Sequence, residues 1–138
     1  MAASSKLLIN EHPLQTLPTL AKAIGLDKAV ILQQIQYWVS TSPHEIKGHQ
    51  WIYNSYTEWA LQFPWLTPEG VRYHIRGLEK AGLIVAGKFN KDTRDKTKWY
   101  RINYTKLNKV LKTTDGELKT PTAGDSKPRM QADKNYEP

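Results

Sequence analysis

The sequence predicts an α+β domain, mainly helical, and three observations carry that prediction. Segments with apolar residues at three-and-four spacing come first, two runs rich in β-branched and aromatic residues follow Gly82, and the excess positive charge falls where the two patterns meet. The composition suits one such domain, because 138 residues, 39 % of them hydrophobic, with five Trp and seven Tyr, are enough to fill a single core. The chain has no cysteine, which excludes disulfide staples, cysteine-ligated zinc and thiolate nucleophiles and fits a reducing cytoplasm, the expected location. The N-terminal MAASSKLLINEHPL has too short an apolar run for a signal-peptide core. No stretch approaches the ~20 apolar residues that span a bilayer, so a soluble protein without a membrane partner is expected.

Taken in order, PTLAKAIG from Pro18 to Gly25 reads as a short helix closed by glycine, and Asp27 as the N-cap of the next. In KAVILQQIQYWVS, Ile31, Leu32, Ile35, Trp38 and Val39 share one side and Gln33 and Gln36 the other, which predicts an amphipathic core helix. TSPHEIKGHQ breaks it with Pro43 and Gly48, and WIY at 51 to 53 signals a short strand. Ser55 and Glu58 stand at capping-box spacing and open a helix over Tyr56 to Gln62. Pro64 ends it, since proline supplies no donor and restricts the residue before it. Thr67 as N-cap, Pro68 at the first helical position and Glu69 in the first turn open a third helix that Gly82 stops. LIVAGKF and TKWYRINY then read as two strands joined by the polar run NKDTRDK. A last short helix spans Thr105 to Leu111. Helix, strand, helix, turn, helix and hairpin is the order of a winged helix-turn-helix with a small antiparallel sheet and a β-hairpin wing. The domain is expected over residues 1–112, with 113–138, poor in apolar residues and interrupted by prolines, as a flexible polar tail or linker.

The charge follows this plan. Residues 1–66 are neutral, with four basic and four acidic side chains, whereas residues 67–101 hold nine basic and four acidic, a net of +5. A local positive field points to a polyanion, nucleic acid before an acidic membrane surface. At about 100° per residue, Val71, Ile75 and Leu78 share a narrow sector and fix the third helix to the core. Glu69, Arg72, Tyr73, Arg76, Gly77 and Lys80 face away, with His74 and Glu79 at the borders. Arginine offers guanine two hydrogen bonds in the major groove, and Glu69 can accept from cytosine N4. Gly77 costs a helix up to ~1 kcal/mol against alanine and suggests either close approach of a neighbouring backbone or close helix packing. Lys88, Lys91, Arg94, Lys96 and Lys98 on the wing suit phosphate, where reach and charge matter most. The candidate DNA contacts are therefore Thr67, Glu69, Arg72, Tyr73, Arg76, Lys80 and these five wing residues.

A charged helix face is most often only solvated, and only its combination with the helix-turn-helix order and the basic hairpin favours double-stranded DNA. His12, His44, His49 and His74 lack a repeated metal-ligand spacing, so no metal is expected. AGK at 86 to 88 lacks the rest of a phosphate-binding loop, and no acidic pair stands out for proton transfer. A non-enzymatic protein without cofactor is expected. The five tryptophans, Trp38, Trp51, Trp59, Trp65 and Trp99, are expected to be core for the most part.

LLINEHPLQTLPTLAKAIGLDKAVILQQIQYW, TPEGVRYHIRGLEKAGLI and KDTRDKTKWYRINYTKL, within residues 6 to 111, together resemble the N-terminal winged-helix domain of replication initiator and replisome-organiser proteins of bacteriophages and mobile elements, a DnaD-like group. The resemblance implies origin-DNA binding, self-association as a homodimer or higher assembly through the segment up to Gly25, and contact with replication proteins through a separate C-terminal domain, to which nothing after Thr113 corresponds. It places the recognition helix at Thr67 to Lys80 and the wing at Lys88 to Lys98. A transcriptional repressor, or a winged-helix module that binds protein through the aromatic loop of Trp51 to Trp65, is the alternative.

Overall fold

The computed structural model describes residues 6–115, an α+β arrangement of five helices and small antiparallel sheets. The elements are α1 (Pro18–Ile24), α2 (Leu26–Ser40), β1 (Glu45–Ile46), β2 (His49–Gln50), β3 (Ile52–Asn54), α3 (Tyr56–Ala60), α4 (Pro68–Lys80), β4 (Ile84–Gly87), β5 (Lys98–Ile102) and α5 (Tyr104–Asp115). All but the first three positions of the expected 113–138 tail lie outside the described residues, and those three continue α5.

The core forms around α2, which packs against α1, α4 and the strands β3 and β5. Enclosure from several sides buries Ala29, Val30, Ile31, Leu32, Ile35 and Val39, so the apolar surface wraps much of the helix instead of forming one stripe. Trp38 departs from the expected core set: it is 37 % exposed, and its indole Nε1–H donates to Gln62 Oε1 at 2.9 Å. Asp27 departs from its expected role as N-cap. Gly25 holds that position, at a φ of 99° that suits glycine, and the Asp27 carboxylate instead accepts from Trp65 Nε1 at 2.9 Å.

Pro43 does end α2's course, yet the segment after it pairs with itself. Lys47 and Gly48 both take positive φ, 52° and 83°, as a two-residue hairpin turn requires, and join β1 to β2 with Ile46 opposite His49. Ser42 Oγ donates to Trp51 O, and the His44 carbonyl accepts from Trp51 N–H at 2.9 Å, so this hairpin is fastened to the start of β3.

The second sheet has the order β3-β5-β4, all antiparallel, with Ile52 opposite Tyr100 and Ala86 opposite Tyr100 on the other side. Its central strand is covered on both faces. Ile52, Ile84, Tyr100 and Ile102 join the main core, while Trp99, Tyr53 and Phe89 form an aromatic layer on the opposite face, with Tyr53 and Trp99 centroids 4.7 Å apart. Of the five tryptophans, Trp59 is in the main core, Trp51 and Trp99 are buried in or beside the aromatic layer, and Trp38 and Trp65 are exposed.

The capping box on α3 is present, with Ser55 Oγ accepting from Glu58 N–H at 3.1 Å and Glu58 Oε1 from Ser55 N–H at 3.4 Å, although the helix stops at Ala60 and not Gln62. α5 begins one residue before the expected Thr105, where Asn103 Oδ1 accepts from Lys106 N–H at 3.1 Å, and runs beyond Leu111. No described helix is long and apolar enough to cross a membrane.

Candidate nucleic-acid interface

α4 is fixed at both ends by its own sequence. Thr67 Oγ1 accepts from Gly70 N–H at 3.0 Å, Pro68 presets the first turn, and Gly82 takes a φ of 81° at the far end. There the Gly82 and Leu83 amides donate to the Glu79 and Leu78 carbonyls, both at 3.0 Å, which is the paired closure of a Schellman motif. Val71, Ile75 and Leu78 are each 0 % exposed, so the inner line anchors the helix with ~1.5 to 3 kcal/mol of burial per side chain.

The opposite face carries the residues expected there. Arg72, Tyr73, Arg76 and Lys80 are exposed, and they share an open groove of about 810 Å³ with Lys28, Glu69, Gly77 and Glu79. Glu69 lies 3.8 Å from Arg72 in a solvated pair, a contact worth little in free energy that a stronger anion can displace. Arg76 and Lys80 make no side-chain hydrogen bond or ion pair among the described residues. Thr67 caps the helix with its hydroxyl oxygen, which accepts from Gly70 N–H and keeps its own O–H as a donor.

Lys28, contributed by α2, was not expected in this groove. Its ammonium lies 3.4 Å from His74 Nδ1 and 5.1 Å from the centre of the Tyr73 ring, a cation–π arrangement. Gly77 explains the fit: a Cβ there would stand 2.7 Å from Lys28 Cε. The neighbour that Gly77 admits is thus a lysine side chain, not the backbone of another element. His74 completes the link, with Nε2 3.6 Å from Asp27 Oδ2. Burial first, and the Lys28 charge second, hold its imidazole below the ordinary value of 6.5 against an opposing pull from Asp27, which favours the neutral ring that can accept from Lys28. An unexplained mid-helix glycine was the one sequence signal for this neighbour, and it did not say which residue.

The β4–β5 connection is built differently. Asn90 clips it shut: its Nδ2 donates to the carbonyls of Asp95 (2.9 Å) and Thr97 (2.8 Å), while its Oδ1 accepts from Trp99 Nε1 at 2.8 Å. Within the loop, Asp92 accepts from the Arg94 backbone at 2.9 Å and from its guanidinium at 3.3 Å, which holds the Asp92 carboxyl below the usual range. Asp95 accepts from Thr97 N–H at 3.0 Å and is lowered likewise. Arg94 is therefore partly spent on Asp92. Lys88, Lys91 and Lys96 are exposed and, among the described residues, make no side-chain hydrogen bond or ion pair.

Lys98 is not a wing-tip residue. It projects to the core side of β5, where its ammonium donates to Glu79 Oε2 at 2.6 Å and to Tyr56 OH at 3.0 Å. Burial alone would lower its pKa, but the bonds to Glu79 and Tyr56 outweigh it and hold the group above the ordinary lysine value. Lys98 thereby ties α3, α4 and β5 together and is spent as a phosphate donor. Strand alternation was the available signal, because Lys98 shares its face with Tyr100 and Ile102.

Among the described residues no group of three or more His, Cys, Asp or Glu side chains gathers as a metal site. No protein-family model, curated protein or solved structure matches the chain.

Proposed function

We propose that the chain is a winged helix-turn-helix that binds double-stranded DNA without catalysing a reaction. The succession α2, β3, α3, α4, β4, β5 with sheet order β3-β5-β4 supports that fold, with α4 as recognition helix and residues 88–97 as wing. The observation that carries the functional reading is the division of α4. Three side chains at 0 % exposure hold it rigidly, and Arg72, Tyr73, Arg76 and Lys80 project from the other side, in a segment of net charge +5. In this reading Arg72, Tyr73 and Arg76 meet base edges while Lys88, Lys91, Lys96 and, once released from Asp92, Arg94 meet phosphates.

Recognition of an origin for replication initiation in a phage or mobile element ranks ahead of transcriptional repression, on the resemblance of the sequence alone. Self-association is part of the same reading, and the exposed Leu7, Leu8, Ile9 and Leu17 supply apolar surface for it in the N-terminal segment. Contact with replication proteins is its other part. A protein-binding module is the second reading, favoured by the exposed Leu61 and Trp65 beside α3.

Duplex affinity measured against salt tests the proposal. A protein that neutralises several phosphates loses affinity linearly on a log–log plot, with a slope of about −0.9 per phosphate. A flat line, or no binding to any duplex, would rule out DNA as the partner.

A further inference from the structure

The groove along α4 holds a cation that α4 does not supply. Lys28 comes from the first turn of α2, and three features of α4 receive it: the missing Cβ of Gly77, the ring of Tyr73 and Nδ1 of His74. Each is on or at the border of the outer face, and the Lys28 seat gives all three a common purpose. A glycine in the middle of a helix costs stability, an exposed tyrosine gains nothing from burial, and a half-buried imidazole needs a donor.

We infer that Lys28 is a phosphate-contacting residue of the DNA site, positioned over α4 by Gly77, Tyr73 and His74. The inference rests on the DNA-binding reading above. An ammonium has three donors. One is directed to His74, which leaves two for an incoming oxygen, and the open groove around it is lined otherwise by Arg72, Arg76 and Lys80 together with two carboxylates, Glu69 and Glu79, that already face Arg72 and Lys98. Lysine is a compact point charge without the rigid fork of arginine, and a phosphate oxygen, which asks for charge and reach, suits its chemistry best. The contact makes the interface composite: α4 is joined by a donor whose position depends on how α2 crosses it.

The test uses the full chain with duplex DNA, and compares Lys28→Ala, Gly77→Ala and the double variant across a salt series. Lys28→Ala is expected to lower affinity equally on all sequences and to reduce the salt slope by about 0.9, one phosphate. Gly77→Ala keeps the charge but makes the flexible end of Lys28 shift from its seat, so it is expected to lose affinity by a smaller factor than Lys28→Ala, and the double variant to be no worse than Lys28→Ala alone. Gly77→Ala also favours helix, so loss of binding with unchanged or raised thermal stability separates displacement of Lys28 from misfolding. If the wild-type chain binds duplex with a steep salt slope and Lys28→Ala leaves that slope unchanged, the inference fails while the DNA reading stands. Additive losses in the double variant would overturn the positioning role of Gly77. If the wild-type chain binds no duplex, both fail together.

Discussion

α4 and the β4–β5 connection carry cations of the same type, yet they are held in opposite ways. α4 is capped at both ends, fixed along one side by Val71, Ile75 and Leu78, and tied to β5 through Glu79 and Lys98. The connection has lighter anchorage: Phe89 packs on Trp51 and Trp99 at its start, Asn90 closes it, and the rest of its polar contacts are exposed pairs among its own residues. The difference teaches what each can do. Reading a base edge demands that a guanidinium be placed to a fraction of an ångström, which a rigid helix provides, whereas a phosphate asks only for charge within reach.

The largest expected effect comes from loosening the rigid member. Ile75→Ala removes a fully buried side chain from the inner line of α4 and is expected to cost about 2 to 5 kcal/mol in urea or thermal unfolding. A cost within ~0.5 kcal/mol of zero would show that α4 is not anchored as described.

Next comes the contrast between two lysines two residues apart. Lys98→Ala leaves the half-buried Glu79 without its partner and is expected to lower stability by about 1 to 3 kcal/mol. Lys96→Ala, on the exposed loop, is expected to stay within ~0.5 kcal/mol of wild type in unfolding and to show its effect only in DNA affinity. Equal unfolding curves for the two variants would erase the distinction between anchored strand and free loop.

The smallest effect is the pH dependence that His74 gives to α4's seat on α2. Its folded pKa lies below the unfolded value, so the unfolded chain takes up more protons. The stability contributed is present above the ordinary 6.5 and is lost as pH falls below it. Unfolding of wild type and His74→Gln across pH 7.5 to 5.5 is expected to show a decline in wild type that the variant lacks. Parallel curves would mean that the imidazole is not held neutral by its surroundings.

Much of α4 was legible in the sequence because its signals are local: TPEG at the start, Gly82 at the end, and apolar residues in one angular sector. α3 and the β4–β5 hairpin were legible for the same reason. What was missed depends on contacts between distant segments or on uncommon backbone. The β1–β2 hairpin turns on Lys47 at positive φ, which a lysine seldom adopts. The enclosure of α2 on several sides put Val30 and Ala29 in the core and left Trp38 outside, and no single-helix pattern contains that information. Lys28 enters the groove only through the crossing of α2 and α4. Lys98 differs from these, because alternation along β5 already places it on the inward side with Tyr100 and Ile102.

The central claim is that α4 reads bases while the wing holds phosphates, and one paired measurement tests it most directly. Once a preferred duplex has been selected, the affinities of Arg72→Ala and Lys96→Ala are measured on that site and on random duplex. Arg72→Ala is expected to lose ~1 to 3 kcal/mol on the preferred site and little on random DNA, while Lys96→Ala weakens both alike and reduces the salt slope by about 1. Uniform loss across sequences in both variants would contradict the division of labour between the two regions.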